Sequence, residues 1–377
     1  MDGPELLLDQ AAETARRLSG RIFVHTAPQN APRIAPLLRG KPSGLVLAGA
    51  RPENVVNETR RALGPGSPLL IDPAAYVRER ATSDAPFDLQ NDHHRVATVA
   101  EHLEVQRESG VSAAITPTRY LTAGDRDSLD AVAEGTTTVG AQDIIAFPLD
   151  AGWLSTRHLD DVLHTLREIP HVKAVVLGGL PHVPESVRQV VRAVRHLAEI
   201  PETMLFRTDM AAFDFLSRGG LAASIGSSSP LRRTAPPPER PPFPGHRDRS
   251  PSVLISDLVA YVRGSVLADL FGGVPAPRCA CAVCRGDRIT DWARSSRRQS
   301  ARLHNVAVWT SEWLPNLIDQ PNLPARRRYW EGLCQHGVQG HALYNGMLET
   351  PQEPFKPSEA LLMWAGARPL EEQISVR

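Results

Sequence analysis

Short runs of apolar residues recur along the first part of the chain, and segments with helical spacing of apolar residues separate most of them. Each run is continuously apolar, which is typical of a parallel strand that is buried on both faces. The runs lie at residues 22–25, 44–48, 69–72, 113–116, 144–148, 174–178, 204–207 and 222–226. Eight short strands that alternate with helices predict an α/β protein, specifically a (β/α)8 TIM barrel.

The clearest helical segments are residues 4–19, 158–169, 185–200 and 210–216, each with apolar residues on one face. A doubly wound open sheet is the competing architecture, because it also alternates strands and helices. No glycine-rich phosphate loop follows the first run, and this absence from the sequence disfavours the open sheet.

A cysteine motif follows the predicted barrel. Cys279, Cys281 and Cys284 have the spacing C-x-C-x-x-C, and His304 comes twenty residues after the last of them. Three thiolates and one imidazole form a closed tetrahedral ligand set, which suits a structural Zn²⁺ ion. A redox C-x-x-C pair and three unrelated thiols are the alternatives, but a redox pair does not need a third cysteine.

The chain after the eighth run divides into further segments. Residues 234–252 are rich in proline and arginine and predict either an ordered insertion over the barrel mouth or a mobile lid. Residues 256–271 predict an amphipathic helix, and the segment that follows the cysteines predicts a helix that carries His304. We therefore expect a barrel over residues 1–233, an insertion with a zinc-binding subdomain over 234–310, and a C-terminal helical segment over 311–377.

Composition and charge narrow the class of protein. The 377 residues are 42% hydrophobic and 22% charged, as in globular proteins, and the formal net charge is zero. A nucleic-acid site would therefore have to be a local basic patch. No run of eighteen apolar residues and no signal peptide occur in the sequence, so we expect a cytoplasmic protein without membrane contact. Thiols stay reduced in the cytoplasm, which favours metal binding over disulfides.

Carboxylates at strand ends are the catalytic candidates, because barrel enzymes place their chemistry there. Asp72 ends the third run and could act as a base or hold a substrate N–H or hydroxyl group. Asp209 follows the seventh run and is the second candidate. Both also fit a helix N-cap, and the helical segment directly behind Asp209 favours that alternative for it.

Other strand-end residues are candidates for substrate binding. Gly178 and Gly179 would let a ligand approach the backbone closely, or they form a tight turn that needs positive φ. Ser227 belongs to a serine run that could bind phosphate or form a simple turn. Arg119 ends the fourth strand region, and Arg232 lies in one of several basic clusters. Those clusters, at residues 232–233, 297–298 and 326–328, could follow a phosphate backbone or form solvated faces.

The zinc motif and the strand pattern together resemble the tRNA-guanine transglycosylase superfamily, which includes DNA-modifying relatives and non-catalytic paralogues. The motif of that family, C-x-C-x-x-C followed by His-Asn, is matched by Cys279 to Cys284 and by His304-Asn305. A strand that ends in Gly-Gly-Leu, whose backbone contacts the 7-deazaguanine base in the family, is matched by residues 177–180. Asp72 lies where the family has the aspartate of its Asp-Ser-Gly-Gly-Phe-Gln motif.

The resemblance implies a pentosyltransferase that exchanges guanine or 7-deazaguanine in tRNA or DNA through an aspartyl–ribose intermediate. It also implies structural zinc and a zinc subdomain that serves in homo- or heterodimer contacts. The chain departs from the family at the nucleophile, where Gly226 stands in place of aspartate. Thr116 and Pro148 stand where the family reads the base with aspartate and glutamine.

Three functional accounts follow from this comparison. Base exchange could continue with relocated carboxylates, Asp72 and Asp209, because glycosidic chemistry needs two such groups. The chain could be a non-catalytic nucleic-acid-binding protein or the partner subunit of a transglycosylase. The barrel could also serve a small-molecule deazapurine reaction, since a fold does not determine a function. On sequence alone, the retained Asp72, Gly178 and Gly179 favour base exchange.

Overall fold

The computed structural model describes residues 3–49, 51–89, 98–237, 248–348 and 354–367, with side chains from residue 9 onward. The chain forms two compact units. Unit 1 consists of Met1–Pro181 and Arg192–Phe243, and unit 2 consists of His182–Val191 and Pro244–Arg377. Among the described residues, no helix is both long enough and apolar enough to cross a membrane.

Unit 1 is built on a seven-stranded parallel sheet that curves as a half-barrel. In sheet order the strands are β3-β2-β1-β7-β6-β5-β4. They are β1 (Arg21–Thr26), β2 (Ser43–Ala48), β3 (Leu69–Asp72), β4 (Ile144–Asp150), β5 (Val172–Gly178), β6 (Thr203–Thr208) and β7 (Ala222–Gly226). Seven of the eight predicted strands are thus confirmed, and nearly all of their residues are buried, as their continuous apolar sequences require.

The remaining run, residues 113–116, is not a strand, so the predicted eight-stranded barrel is confirmed only as a seven-stranded sheet. The run nevertheless lies between the two edge strands. The Ser112 N–H donates to the Leu69 carbonyl at 2.8 Å, and the Ile144 N–H donates to the Ala114 carbonyl at 2.8 Å. The side-chain amide of Gln106 bonds both the N–H and the C=O of Ile115, and this replaces regular ladder bonds to a neighbouring strand.

Helices connect the strands of unit 1. They are α1 (Gly3–Leu18), α2 (Ala31–Leu38), α3 (Val56–Leu63), α4 (Val99–Glu108), α5 (Arg126–Gly135), α6 (Leu159–Glu168), α7 (Pro184–Leu197), α8 (Ala211–Ser217) and the single turn α9 (Ser229–Arg232). The first eight residues of α7, Pro184–Val191, belong to unit 2 by the division above. The four predicted helices are confirmed with small shifts at their ends. Thr98 and Asp125 cap α4 and α5 by accepting hydrogen bonds from backbone N–H groups three residues later.

Unit 2 contains a short antiparallel hairpin and the C-terminal helices. Its elements are β8 (Ser252–Ile255), β9 (Ala260–Arg263), α10 (Gly264–Leu270), α11 (Arg298–Val308), α12 (Leu314–Ile318), α13 (Leu323–Met347) and α14 (Glu359–Trp364). The helix predicted over 256–271 is wrong in its first half. There the chain turns at Val259, whose φ is 49°, and returns as β9. The predicted helix with His304 and the C-terminal helical segment are confirmed as α11 and α12–α14.

Two glycines allow helix α13 to lie directly on the turn of the hairpin. A Cβ atom added at Gly340 would lie 1.9 Å from the carbonyl oxygen of Asp257, and one added at Gly337 would lie 2.8 Å from Val259. The Tyr344 hydroxyl, one turn further along, donates to the carboxylate of Asp257 at 3.1 Å. This close packing joins the hairpin and the longest helix into one core of unit 2.

Candidate functional site

A tight knuckle in unit 2 brings the three motif cysteines to one place. Arg278 and Arg288 form an antiparallel bridge at its base. Above it, the Gly286 N–H donates to the Cys279 carbonyl at 2.9 Å, and the Asp287 N–H donates to the Cys284 carbonyl at 3.1 Å. These backbone bonds fold the short segment back on itself and hold the sulfur atoms together.

Helix α11 places His304 against the cysteines. The candidate ligand atoms of Cys279, Cys281, Cys284 and His304 all lie within 4.8 Å of one another. The distances from His304 Nδ1 to the three Sγ atoms are 3.7, 3.3 and 3.1 Å respectively. A tetrahedral zinc ion with ordinary bond lengths would separate nitrogen and sulfur ligands by about 3.6 Å. The cluster predicted from the spacing is confirmed, and its geometry is compatible with a zinc site.

Strand β8 fixes the orientation of the histidine. His304 Nε2 lies 2.7 Å from the Leu254 carbonyl and donates to it, so that the lone pair of Nδ1 faces the sulfur atoms. The neighbouring Asn305 accepts from the Leu254 N–H at 2.7 Å and donates to the Ser252 carbonyl at 2.9 Å. His304 therefore faces the cluster, and the adjacent Asn305 attaches α11 to β8.

Protons compete with a metal ion for the ligand atoms of the cluster, and hydrogen bonds with Cys279 and Cys281 raise the pKa of the Cys284 thiol. Hydrogen bonds from Cys279 and Cys284 lower the pKa of the Cys281 thiol. Burial acts to lower the pKa of His304, but hydrogen bonds to Cys279 and Cys281 outweigh it and raise that pKa to about 9. A metal ion needs the Nδ1 lone pair, so its binding releases a proton and becomes tighter as the pH rises.

In unit 1, a buried polar cluster occupies the ends of strands β1, β3 and β6. Asp72 is 3% exposed, and its carboxylate lies 3.1 Å from Nε2 of His25, which is fully buried. The Tyr76 hydroxyl donates to the same carboxylate at 2.5 Å, and the Ala74 N–H donates to it at 2.8 Å. Both oxygens of the predicted catalytic carboxylate therefore contact the protein's own groups.

Arg207 at the end of β6 completes this cluster. Its guanidinium donates to the Tyr76 hydroxyl at 3.3 Å and to the Pro230 carbonyl at 2.9 Å. Its φ of 49° places a non-glycine residue in the left-handed region, a conformation that the surrounding contacts must stabilise. The Ser224 hydroxyl accepts from the Arg207 N–H at 2.9 Å and lies 3.3 Å from His25 Nδ1.

Burial and charge act on this cluster together. Burial lowers the pKa of His25 and outweighs the opposing effect of Asp72. Burial alone would raise the pKa of Asp72, but the contacts with His25 and Tyr76 and the nearby charge of Arg207 bring it below its usual value. The carboxylate thus contacts an imidazole and a tyrosine hydroxyl, and Arg207 reaches it only through that hydroxyl.

The chain leaves no room for a side chain at Gly226, where the resemblance would place the nucleophile of the transglycosylase family. A Cβ atom there would lie 2.2 Å from the carbonyl carbon of Leu231 and 2.5 Å from the Arg232 nitrogen, because α9 crosses the end of β7. Two predicted substrate-binding residues also face inward. Arg232 is 5% exposed and its guanidinium lies 3.4 Å from the Gly226 carbonyl, and the hydroxyl of the buried Ser227 bonds that of Thr26 at 2.9 Å.

Tyr120 covers Gly178 at the end of β5, whereas the following residue, Gly179, is exposed. A Cβ atom at Gly178 would lie 2.4 Å from the ring of Tyr120, whose hydroxyl donates to Asp150 at 2.8 Å. The Gly179 N–H donates to the Thr234 carbonyl at 3.0 Å, and Gly178 forms a parallel bridge with Thr234. Gly179 has a φ of 64°, as the turn alternative predicts.

The other predicted site residues form their hydrogen bonds and ion pairs outside the buried cluster. Asp209 is partly exposed and accepts from the Ala211 N–H at 3.2 Å at the start of α8. Arg119 pairs with Glu79 at 2.8 Å. Thr116 bonds Thr118 and the Ala146 N–H. The roles predicted for Asp209 and Arg119 stay predictions. Residues 238–247 of the proline-rich segment lie outside the described residues.

Sequence reasoning missed three members of the cluster around Asp72. His25 ends the first apolar run and Arg207 ends the seventh, so strand-end position could have found both. Tyr76 follows Asp72 by four residues, a spacing that brings two side chains together in a helical turn. Each of these residues also fits an ordinary strand or loop, and the sequence shows no motif that links them.

No model of a known protein family matches this chain, and no curated protein matches it. The resemblance to the transglycosylase superfamily therefore rests on the cysteine motif and the strand pattern.

Proposed function

We propose that this chain is a transglycosylase-like protein that binds nucleic acid, alone or as the partner subunit of a catalytic transglycosylase. In this proposal it does not perform base exchange through an aspartyl–ribose intermediate. Guanine or 7-deazaguanine would then be handled by the catalytic partner rather than by this chain. This is the second of the accounts that the sequence left open.

The observation that carries the proposal is the contact at Gly226. Base exchange of the family type needs a carboxylate at this position to attack the anomeric carbon. The 2.2 Å separation between a Cβ atom at Gly226 and the Leu231 carbonyl carbon leaves no space for any side chain. The course of the backbone after β7, and not only the residue type, is therefore adapted to glycine.

Two further observations support the loss of chemistry at the strand ends. Asp72 is buried, and its oxygens are engaged by His25, Tyr76 and a backbone N–H, which leaves it poorly placed to meet a sugar. Tyr120 occupies the space beside Gly178, and the Gly179 N–H already donates to the Thr234 carbonyl, at the place where the resemblance would put the base.

We propose that the Cys279, Cys281, Cys284 and His304 cluster binds a structural Zn²⁺ ion. Four protein ligands complete a tetrahedral shell, so the ion's contribution is to hold the knuckle on α11. We also propose that the sheet closes into an eight-membered barrel through residues 112–116. The hydrogen bonds from this segment to Leu69 and to Ile144 support closure.

Base exchange by relocated carboxylates, with Asp72 and Asp209 in the catalytic roles, is the rival account. The direct test incubates the zinc-loaded protein with tRNA or with duplex DNA and radiolabelled guanine or 7-deazaguanine. We expect salt-dependent retention of nucleic acid and no incorporation of the label. Incorporation by the wild-type protein, abolished by Asp72→Asn, would overturn the proposal and establish the rival.

A further inference from the structure

The segment that carries the metal cluster is strongly basic within a neutral chain. From Arg278 to Arg302 the sequence contains seven arginines and two aspartates, a formal excess of five positive charges, whereas the whole chain has a net charge of zero. A bound Zn²⁺ ion with three thiolates and a neutral imidazole would remove one unit of this excess. The knuckle would therefore keep a positive surface in its metal-bound form.

Three arginines of the knuckle are solvent-exposed: Arg278, Arg285 and Arg288. Arg278 and Arg288 are direct partners in an antiparallel bridge, which places their Cβ atoms about 5 Å apart on one face. Like charges at directly opposite positions destabilise a pair of strands. A structural role alone gives no reason to place two guanidinium groups there.

Among the residues that the structure describes, no carboxylate lies within ion-pair distance of these three side chains. Arg278 donates to the Gly286 carbonyl at 2.8 Å, and Arg285 donates to the Ala282 carbonyl at 3.3 Å. These bonds satisfy one donor of each guanidinium without an ion pair, and the Asp291 carboxylate accepts from the Arg288 backbone N–H at 3.1 Å rather than from its side chain. Asp287, the nearest acid in sequence, pairs instead with Arg297 at 2.6 Å.

The knuckle also holds the backbone of Arg285 in a defined conformation. Arg285 has a φ of 51°, in the left-handed region, just before Gly286. Such a conformation is costly for a side-chain-bearing residue and is maintained here by the backbone bonds of the knuckle. A fixed backbone leaves only side-chain freedom to be lost when these arginines bind an anion, and the planar guanidinium fork matches two phosphate oxygens.

We propose that Arg278 and Arg288, with Arg285 beside them, form a phosphate-binding site that holds the sugar–phosphate backbone of a nucleic acid. The site deepens the proposed function and depends on it for the identity of the ligand. A phosphate between the two opposed guanidiniums removes their repulsion. The exposed Arg294 and Arg298 extend the positive surface along the following residues, which fits a chain of regularly spaced anions better than a single one.

The test uses the full-length, zinc-loaded protein and a fluorescently labelled duplex oligonucleotide. Binding is measured by anisotropy over a range of salt concentrations for the wild type and for Arg278→Gln/Arg288→Gln. Loss of two phosphate contacts should lower the slope of log K against log salt by about 1.8, which is roughly a 60-fold loss of affinity at ~0.1 M salt. Arg278→Lys/Arg288→Lys keeps both charges and should keep most of the slope.

A matched control separates this site from a general effect of charge. Arg33→Gln/Arg167→Gln removes two exposed arginines of unit 1 that have no carboxylate partner among the described residues. This variant has the same net charge as the knuckle variant and should retain the wild-type slope. Equal zinc content and equal melting temperature of all variants confirm that each is folded.

The outcomes distinguish this inference from the proposed function. If the wild type binds nucleic acid and the knuckle variant binds as tightly as the control, the phosphate site is wrong while the proposed function stands. If the wild type binds no nucleic acid, both the phosphate site and the proposed function are wrong. Displacement of the duplex by polyglutamate at equal charge concentration would also overturn the inference, because it would show a general polyanion surface.

Discussion

Gly226 and Asp72 show two opposite constraints on single residues at the strand ends. The residue at position 226 must be glycine, because the backbone of α9 fills the space that a side chain would need. Asp72 is fixed by charge, because a buried carboxylate needs the positive and hydrogen-bonding groups that His25, Tyr76 and Arg207 supply. Both constraints belong to the stability of unit 1 and do not require a substrate.

Substitution of Gly226 by alanine should destabilise the protein. The added methyl group would overlap the Leu231 backbone, and overpacking of this kind costs about 1–3 kcal/mol. Gly273→Ala is the matched control, because nothing lies within 4 Å of a Cβ atom there. The measurement is the free energy of unfolding in urea. Equal stability of the two variants would contradict the close contact at Gly226.

The buried His25 should make the stability of the fold depend on pH. Its pKa is lowered in the folded state, so below its ordinary value of about 6.5 the unfolded chain takes up a proton that the folded chain does not. Stability should therefore fall on acidification by up to about 1.4 kcal/mol per pH unit from this residue. The lowered pKa of Asp72 acts in the same direction at lower pH.

Denaturant unfolding across this pH range checks that dependence. His25→Gln removes the titrating imidazole and should flatten the slope of stability against pH in the mildly acidic range. His336→Gln changes an exposed histidine and should leave the slope as in the wild type. An unchanged slope in His25→Gln would show that His25 gains its proton in the folded state as easily as in the unfolded state.

At the scale of elements, the metal cluster depends on how α11 meets β8. His304 and Asn305 are adjacent on α11, and both bond the backbone of β8. The hairpin in turn lies under α13 at Gly337 and Gly340. The ligands therefore come from the knuckle and from α11, whereas β8 orients His304 and α13 packs on the hairpin without contributing a ligand.

Asn305→Ala should weaken metal binding although Asn305 is not a ligand. The substitution removes both side-chain hydrogen bonds between Asn305 and β8. The Leu254 carbonyl is then no longer held where it orients His304. Loss of such supporting contacts typically costs 10–100-fold in metal affinity, and we expect about tenfold. Competition with a chromophoric chelator measures the affinity. Asn316→Ala, on α12, is the control and should bind zinc as tightly as the wild type.

Removal of zinc by a strong chelator, or Cys281→Ala, should unfold the knuckle. Cys284 and Trp292 belong to the hydrophobic core of unit 2, and the metal ion contributes folding free energy to such a small subdomain. Hydrogen exchange followed by mass spectrometry should show lost protection over residues 278–304, with the strands of unit 1 still protected. Full protection of the knuckle without metal would contradict a structural metal site.

The elements differ in how readily the sequence predicts them. Seven strands were predictable, because buried parallel strands are continuously apolar. Residues 113–116 have the same pattern, but the Gln106 side chain takes the hydrogen bonds of Ile115, a contact that no local pattern announces. The 256–271 helix was predicted from an amphipathic pattern, and the turn at Val259 overrides that signal.

For the whole molecule, the sequence predicted the metal cluster better than the strand-end site. The spacing of the motif identifies four ligands that converge on one point, and three of them lie in one short segment of the chain. The contacts of His25, Asp72 and Arg207 join three strands across the sheet, so they depend on tertiary structure. The sequence also placed Gly226 at the nucleophile position, but only the structure shows that α9 excludes a side chain there.

We propose that no residue of this chain attacks a ribose, and a search for the covalent intermediate tests this proposal most directly. End-labelled tRNA and labelled duplex DNA are bound to saturation, denatured and separated by gel electrophoresis. We predict that all label migrates as free nucleic acid after denaturation, although binding before denaturation is complete. A protein–nucleic acid species that survives denaturation in the wild type and disappears in Asp72→Asn or Asp209→Asn would contradict the account.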